Sequence, residues 1–171
     1  MSGRRRILGL TVGGLGLIGL SLGVSGHKLL VWNATASAPI GLYLVTAADE
    51  LRVGDLVVVN PPSDLARLFA DRSYLPAGVP LLKRIVATEG ATICRIGTQV
   101  TVDGKPMAEA LTSDSRQRGL PVWSGCRTLT PDEVFVLMTS VPASLDGRYF
   151  GPTKRTAILG RATPLWTGDA P

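Results

Sequence analysis

The side chains that could do chemistry in this sequence are few, because histidine and cysteine are scarce. His27 is the only histidine, and the two cysteines, Cys94 and Cys126, are far apart with no closely spaced partner. Metal ligands normally come as closely spaced cysteines and histidines, so we expect no metal site and no cofactor. A Ser-His-Asp triad would depend on His27 alone, which leaves the serine-lysine variant of the same chemistry.

A lysine acts as a general base only when it is neutral, so its pKa of about 10.4 must fall by roughly three units, or about 4 kcal/mol. Burial in an apolar environment supplies a shift of that size. Only Lys83 lies inside an apolar strand, where alternation places it on a face with Leu81, Ile85 and Ala87 and turns Arg84 to the other face. The other lysines flank the apolar N-terminal run, occupy a hairpin turn or lie in a loop: Lys28, Lys105 and Lys154.

The candidate nucleophile is Ser37, in the segment Thr-Ala-Ser-Ala-Pro that follows shortly after the apolar N-terminal run. A serine at that point would act close to the bilayer surface if the run spans a membrane. Taken alone, Ser37 could also belong to an ordinary loop. Lys83 and Arg84 could likewise be charges on an edge strand that block aggregation.

The N-terminus is typical of a membrane anchor. Arg4, Arg5 and Arg6 precede an uncharged run over 7–26, which at about 20 residues is long enough to cross a bilayer. The positive-inside rule then places the N-terminus in the cytoplasm. We expect residues 1–28 to form a basic tip and a single transmembrane helix, and residues 29–171 to form one extracytoplasmic domain.

A cleavable secretory signal is the rival interpretation, because Ala34 to Ala36 and Ala36 to Ala38 both offer small-x-small cleavage patterns. The apolar run is longer than the usual core of a signal peptide, and Leu29 to Trp32 extend its apolar character. Trp32 also suits a membrane-interface anchor. These features favour a retained anchor.

The positive charge does not indicate a nucleic-acid partner. The net charge is +5, but removing Arg4, Arg5, Arg6 and Lys28 from the 18 basic residues leaves 14 against 13 acidic residues. The basic excess is therefore a signal of membrane topology. In an oxidising compartment, Cys94 and Cys126 could form a disulfide, and the alternative is two unrelated buried thiols.

After the anchor, short β-branched and apolar runs separated by turn residues predict a mostly β domain. Asp103-Gly104 is a strong signal for a β-hairpin turn. One short inserted helix is expected between Ser63 and Tyr74, with Ser63 as its cap, and a long loop over 109–127. The predicted strands cover 42–46, 56–60, 81–88, 92–96, 99–102, 134–139 and 156–163.

Five short motifs in this order resemble the type I signal peptidase family of Ser/Lys peptidases. They are Ser37-Ala38-Pro39, Gly54-Asp55 followed by valines, Leu82 to Gly90, the hairpin Val102 to Pro106, and Ser144 to Gly151. The resemblance covers nearly the whole chain and implies the family's β-fold. It also implies Ser37 as nucleophile, Lys83 as general base, and the Ser37 amide and Thr35 hydroxyl as oxyanion donors.

The last motif carries two further roles by resemblance. Ser144 matches a position that hydrogen-bonds and orients the lysine. A carboxylate touching Lys83 would favour its charged form, so we expect Asp146 to pair mainly with Arg148 or Arg84. The alternative for Asp146-Gly147 is a plain turn.

Departures from the family pattern bear on the substrate. The usual Ser-Met is replaced by Ser37-Ala38, and the segment Ser37 to Tyr43, S-x-P-x-G-L-Y, is similar to the TraF-type peptidases that mature conjugative pilins. The resemblance therefore implies a membrane-bound serine endopeptidase that processes a membrane-inserted precursor, with hydrolysis or cyclisation of the product. It also implies conjugation or type IV secretion components as partners, contact with inner-membrane lipid, and a periplasmic catalytic domain.

Two other functions stay open. One is a general signal peptidase that removes secretory leader peptides from preproteins. The other is an anchored periplasmic assembly subunit without enzymatic activity, in which Ser37 and Lys83 are incidental.

Overall fold

The structure, a computed structural model, describes residues 29–168. The predicted transmembrane helix over 1–28 lies outside these residues. Within 29–168, no helix is both long and apolar enough to cross a membrane.

The larger of two sheets has seven antiparallel strands in the order β1-β2-β11-β3-β4-β9-β10. Its strands are β1 Leu29–Asn33, β2 Gly41–Thr46, β3 Leu56–Val59, β4 Leu81–Ala87, β9 Glu133–Leu137, β10 Thr153–Lys154 and β11 Ile158–Thr167. The sequence did not predict β1, because its apolar residues were assigned to the continuation of the membrane run. Strand β11 begins and ends later than the predicted strand over 156–163. A 3-10 turn at Arg155–Ala157 occupies the start of the predicted range.

The position of β4 decides one of the open alternatives. This strand pairs with β3 on one side and with β9 on the other, so it lies in the interior of the sheet. The interpretation of Lys83 and Arg84 as edge-strand charges is therefore wrong.

The smaller sheet has four strands in the order β7-β6-β5-β8. They are β5 Thr92–Ile96, β6 Gln99–Val102, β7 Lys105–Glu109 and β8 Gly125–Thr128. Asp103 and Gly104 form the predicted turn with φ of 49° and 77°, as a type I′ hairpin requires. Cys94 and Cys126 face each other on β5 and β8 and are joined in a disulfide. Strand β8 begins inside the segment that the sequence assigned to a loop.

Two helices are present in the described part of the chain, where the sequence predicted one. Helix α1, Ser63–Asp71, lies where expected and buries Phe69, but its cap position is Pro62 and no side chain caps it, so the assignment of Ser63 as cap was wrong. Helix α2, Gly147–Phe150, is a single turn capped by the Asp146 side chain. A Cβ atom at Gly147 would lie 2.6 Å from the Phe135 ring, so glycine permits α2 to pack against β9.

Apolar packing joins the two sheets and supports the segment around Ser37. One core cluster combines residues of both sheets: Ala87, Ile93, Val100, Val102, Leu129, Phe135 and Leu137. A second cluster lies beneath the segment after β1 and contains Ala38, Tyr43, Val45, Val58, Leu82, Met138 and Ala162. Burial of these side chains fixes β2, β3 and β4 relative to the residues that follow β1.

Candidate active site

Lys83 is a buried amine in the middle of the larger sheet. It lies opposite Val57 of β3, and its side chain is only 2% exposed. Burial lowers the pKa of Lys83 to about 8, because desolvation penalises the charged form. The Nζ atom donates a hydrogen bond to Ser144 Oγ at 2.9 Å. The amine is thus held in one orientation and its pKa is close to the range in which a base operates.

Ser144 belongs to the loop between β9 and α2. Its side chain is buried, and its backbone N–H donates to the Val141 carbonyl at 3.1 Å. This turn directs the Ser144 hydroxyl at Lys83. The structure therefore brings together the two residues that the resemblance associated with each other.

Asp146 is fully buried but is paired with Arg148 rather than with Lys83. Arg148 donates to both carboxylate oxygens, with Nε–Oδ1 at 2.9 Å and Nη2–Oδ2 at 2.8 Å. The Met138 N–H donates to Oδ2 at 2.9 Å. Nη1 donates to the Pro142 carbonyl, and Nη2 is shared between Oδ2 and the carbonyls of Met138 and Val141, which closes the loop around the ion pair.

This ion pair limits the effect of the carboxylate on the lysine. The strongest influence on the pKa of Lys83 is burial, which lowers it; Asp146 raises it and Arg148 lowers it. Because the two opposite charges act on Lys83 together, burial decides the direction of the shift.

The turn that carries Ser37 is organised by Asn33, a residue that sequence reasoning missed. The Asn33 side chain is buried and its Nδ2 donates to the carbonyls of Thr35, Ala38 and Pro39 at 3.0, 3.0 and 3.1 Å. Its Oδ1 accepts from the Thr35 N–H at 3.1 Å. Asn33 therefore binds the backbone on both sides of Ser37.

Tyr43 provides a second support for the same turn, and sequence reasoning missed it too. Its hydroxyl donates to the Pro39 carbonyl at 2.7 Å. Asparagine side chains commonly bond the backbone two residues further on, so Asn33 followed by Thr35 was a usable signal. Nothing in the local sequence indicated the contact of Tyr43.

Thr35 lies beside the candidate nucleophile. Its hydroxyl donates to Asn33 Oδ1 at 2.8 Å and lies 3.1 Å from Ser37 Oγ. Because the single Thr35 hydroxyl proton is used by Asn33, Ser37 is the donor in the second contact. The Thr35 hydroxyl would have to turn away from Asn33 before it could donate to an oxyanion.

Ser37, Thr35, Lys83 and Ser144 line one cavity of about 250 Å³. Within residues 29–168, no hydrogen bond joins Ser37 to Lys83. Hydrogen bonds between catalytic groups are often long or misaligned before substrate binds. In the same residues, no three His, Cys, Asp or Glu side chains are grouped so that they could hold a metal ion.

Comparison with known proteins identifies the family. The chain matches the family described as signal peptidase, peptidase S26, over residues 6–166, and it belongs to that family. It is 31% identical to the conjugal transfer protein TraF of Agrobacterium fabrum, over 95% of this chain and 93% of that protein. It is 32% identical to a probable conjugal transfer protein TraF of Sinorhizobium fredii, over 90% of this chain and 88% of that protein.

A plasmid transfer protein TraF of Escherichia coli is 29% identical over 96% of this chain and 97% of that protein. The crystal structure of a signal peptidase I from Enterococcus faecalis overlaps with 68% of this chain and all of that chain, at 20% identity and a TM-score of 0.40.

Replacing Asn33 by Ala removes the bonds of this side chain to the backbone on both sides of Ser37 and leaves the Tyr43 bond to Pro39 in place. We expect kcat/KM for peptide cleavage to fall by about 100-fold, because small displacements of a reacting group cost that much. The measurement is initial-rate kinetics on the purified full chain. Tyr43→Phe is the matched control, since it removes one bond to the same turn, and it should lose far less. Unchanged kinetics in the Asn33→Ala variant would contradict the role of Asn33.

Replacing Arg148 by Met leaves the fully buried Asp146 carboxylate without its partner. We expect the free energy of unfolding to fall by about 3–5 kcal/mol, the usual cost of breaking a buried ion pair from one side. Urea unfolding of the full chain in detergent measures it. The double variant Asp146→Asn, Arg148→Met should recover part of the loss, and equal stability of the single and double variants would refute the assignment.

Proposed function

We propose that this protein is a membrane-bound serine endopeptidase that matures a membrane-inserted precursor, most specifically a conjugative pilin, through Ser37 and Lys83. The observation that carries the proposal is the buried Lys83 amine, with its lowered pKa, on the same cavity as Ser37. A buried lysine without a carboxylate in contact is expensive to maintain, and a base near neutrality is the use that explains it.

The first half of the reaction forms an ester. Neutral Lys83 Nζ takes the proton of the Ser37 hydroxyl while Oγ attacks the carbonyl carbon of the scissile bond. The resulting oxyanion accepts a hydrogen bond from the Ser37 backbone N–H. The Thr35 hydroxyl becomes a second donor once it turns away from Asn33. One such donor is worth roughly 3 kcal/mol at the transition state. The C–N bond then breaks, and the Lys83 ammonium returns the proton to the leaving amine.

The second half releases the product. Water attacks the ester carbonyl and gives one proton to Lys83, which passes it to Ser37 Oγ as the ester C–O bond breaks. The product is a carboxylic acid, which releases its proton to solvent. If the amino terminus of the same substrate attacks in place of water, a new peptide bond closes a ring. Ser144 holds Lys83 in position during both halves, through the bond between Nζ and Oγ.

An exposed apolar edge of the larger sheet supports a membrane location. Trp32 and Trp166 lie with ring centroids 5.9 Å apart, and further exposed apolar residues flank them on β1 and β11: Leu29, Leu30 and Leu165. Tryptophan is enriched where proteins meet the headgroup region of a bilayer. With residues 1–28 as the anchor, we place the N-terminus in the cytoplasm, the catalytic domain in the periplasm, and this edge against inner-membrane lipid.

The choice of a pilin rests on the relatives. Their names associate them with conjugal or plasmid transfer, and the similarity extends over nearly the full length of this chain. A peptidase among transfer proteins has a transfer-system precursor as its natural substrate, with conjugation or type IV secretion components as partners. The experiment must distinguish pilin maturation from two alternatives. One is the removal of general secretory leaders, and the other is a purely structural role.

The test follows a pilin precursor co-expressed with the full chain. Ser37→Ala and Lys83→Ala should each abolish maturation, whereas Lys105→Ala, a lysine at the exposed hairpin of the smaller sheet, should leave it intact. Maturation that continues in both active-site variants would indicate an assembly subunit. Cleavage of a secretory preprotein in preference to the pilin would indicate a general signal peptidase. The intact mass distinguishes a circular product, which is one water lighter than its linear form.

A further inference from the structure

Two further cavities open beside Ser37, and their chemical characters differ. The first, of about 300 Å³, is largely apolar and is lined by Val31, Trp32, Leu81 and Leu82. The second, of about 190 Å³, also has apolar residues in its lining, but unlike the first it is lined by a charged side chain, that of Arg84. Ser37 lines both cavities, so a substrate bound at the nucleophile can reach into each of them.

The two cavities follow one another along strand β4. Leu82 and Arg84 are two residues apart and therefore point to the same face of the strand, while Lys83 points to the other. Two residues of a strand cover about 6.7 Å. An extended substrate has the same spacing, so side chains two or three residues apart would enter the two cavities.

Arg84 brings an unneutralised positive charge to the second cavity. The side chain is exposed, and its Nη1 donates to the Gly54 carbonyl at 2.6 Å. In the described part of the chain, no Asp or Glu oxygen lies within salt-bridge distance of Arg84, and none lines this cavity. Since guanidinium has five N–H donors, most of them remain for a ligand.

Asp55, which follows Gly54 in the sequence, already has partners of its own. Asp55 forms an ion pair with Arg161 at 2.9 Å and accepts the Arg52 N–H at 2.8 Å. It is thus held away from Arg84 by a partner of its own. The positive charge beside the nucleophile is left for a group that arrives from outside.

We propose that Arg84 binds a carboxylate of the polypeptide substrate, from an acidic side chain or from the chain terminus. This carboxylate lies on one side of the scissile bond, and an apolar side chain fills the Val31–Trp32 cavity on the other. Arg84 is thus a specificity-determining residue, and Lys83, next to it in sequence, performs the chemistry on the opposite face of the strand. The inference rests on the proposed peptidase function.

The experiment uses synthetic peptides that span the cleavage junction of the pilin precursor, mapped by mass spectrometry. Each residue within about four positions of the scissile bond is replaced in turn by Glu, Gln or Lys, since an extended chain of that length spans both cavities. A second set carries a C-terminal amide, which separates a terminal carboxylate from a side chain. The enzymes are the full chain, Arg84→Glu and Lys105→Glu, the last two having the same change in net charge.

At one position, or at the terminus, the unmodified chain should prefer the carboxylate over Lys or amide by about fivefold in kcat/KM, which is the upper end of the range for an exposed charge pair. Arg84→Glu should reverse the preference between Glu and Lys peptides, and this reversal would also show that the variant is folded. Lys105→Glu should keep the preference of the unmodified chain. A preference that is absent, or that survives in Arg84→Glu, would overturn the inference. The inference would also be overturned if Arg84→Glu lost the same fraction of kcat/KM on all peptides and only when anionic lipid was present, since Arg84 would then bind a lipid headgroup.

The two proposals fail in different ways. If the unmodified chain and Ser37→Ala cleave the peptides equally poorly, the proposed function is wrong and this inference falls with it. If the unmodified chain cleaves and shows no charge preference, only the role of Arg84 is wrong.

Discussion

A neutral lysine amine requires burial without a carboxylate in contact, and the organisation around β4 meets both conditions. Lys83 is desolvated because its strand lies between β3 and β9. The nearby Asp146 carboxylate is bound on both oxygens by Arg148, which is itself fixed by three loop carbonyls. The same loop presents Ser144 to the amine. The loop after β9 therefore has two tasks, orienting Lys83 and neutralising the buried Asp146 carboxylate near it.

Ser37, the proposed nucleophile, is positioned by different means. Ser37 lies in the turn between β1 and β2, and the Asn33 side chain bonds the backbone of that turn from the end of β1. In the proposed mechanism this arrangement gives β1 a positioning role, since Asn33 is the last residue of the strand. The exposed Trp32 lies on the same short strand and lines a cavity together with Ser37.

Much of the fold was predictable because it follows local rules. Strands β5 and β6 have the expected bounds, and the Asp103-Gly104 turn follows from the need for positive φ. Burial of Lys83 followed from the alternation of apolar residues along β4. By contrast, β1 was missed because an apolar segment that follows a predicted transmembrane helix can be either a strand or a continuation of that helix. Helix α2 was missed because a single turn has no periodicity, and it depends on tertiary contacts of Gly147 and Asp146. The role of Tyr43 also depends on distant packing.

The pH dependence of kcat/KM tests the central claim most directly. Lys83 must be neutral to accept a proton, and burial lowers its pKa to about 8, so kcat/KM should rise with pH through about 8 and level off above it. The measurement uses the full chain in detergent with a cleavable precursor peptide. A profile that is flat across this range, or that rises only near the ordinary lysine value of about 10.4, would contradict the account.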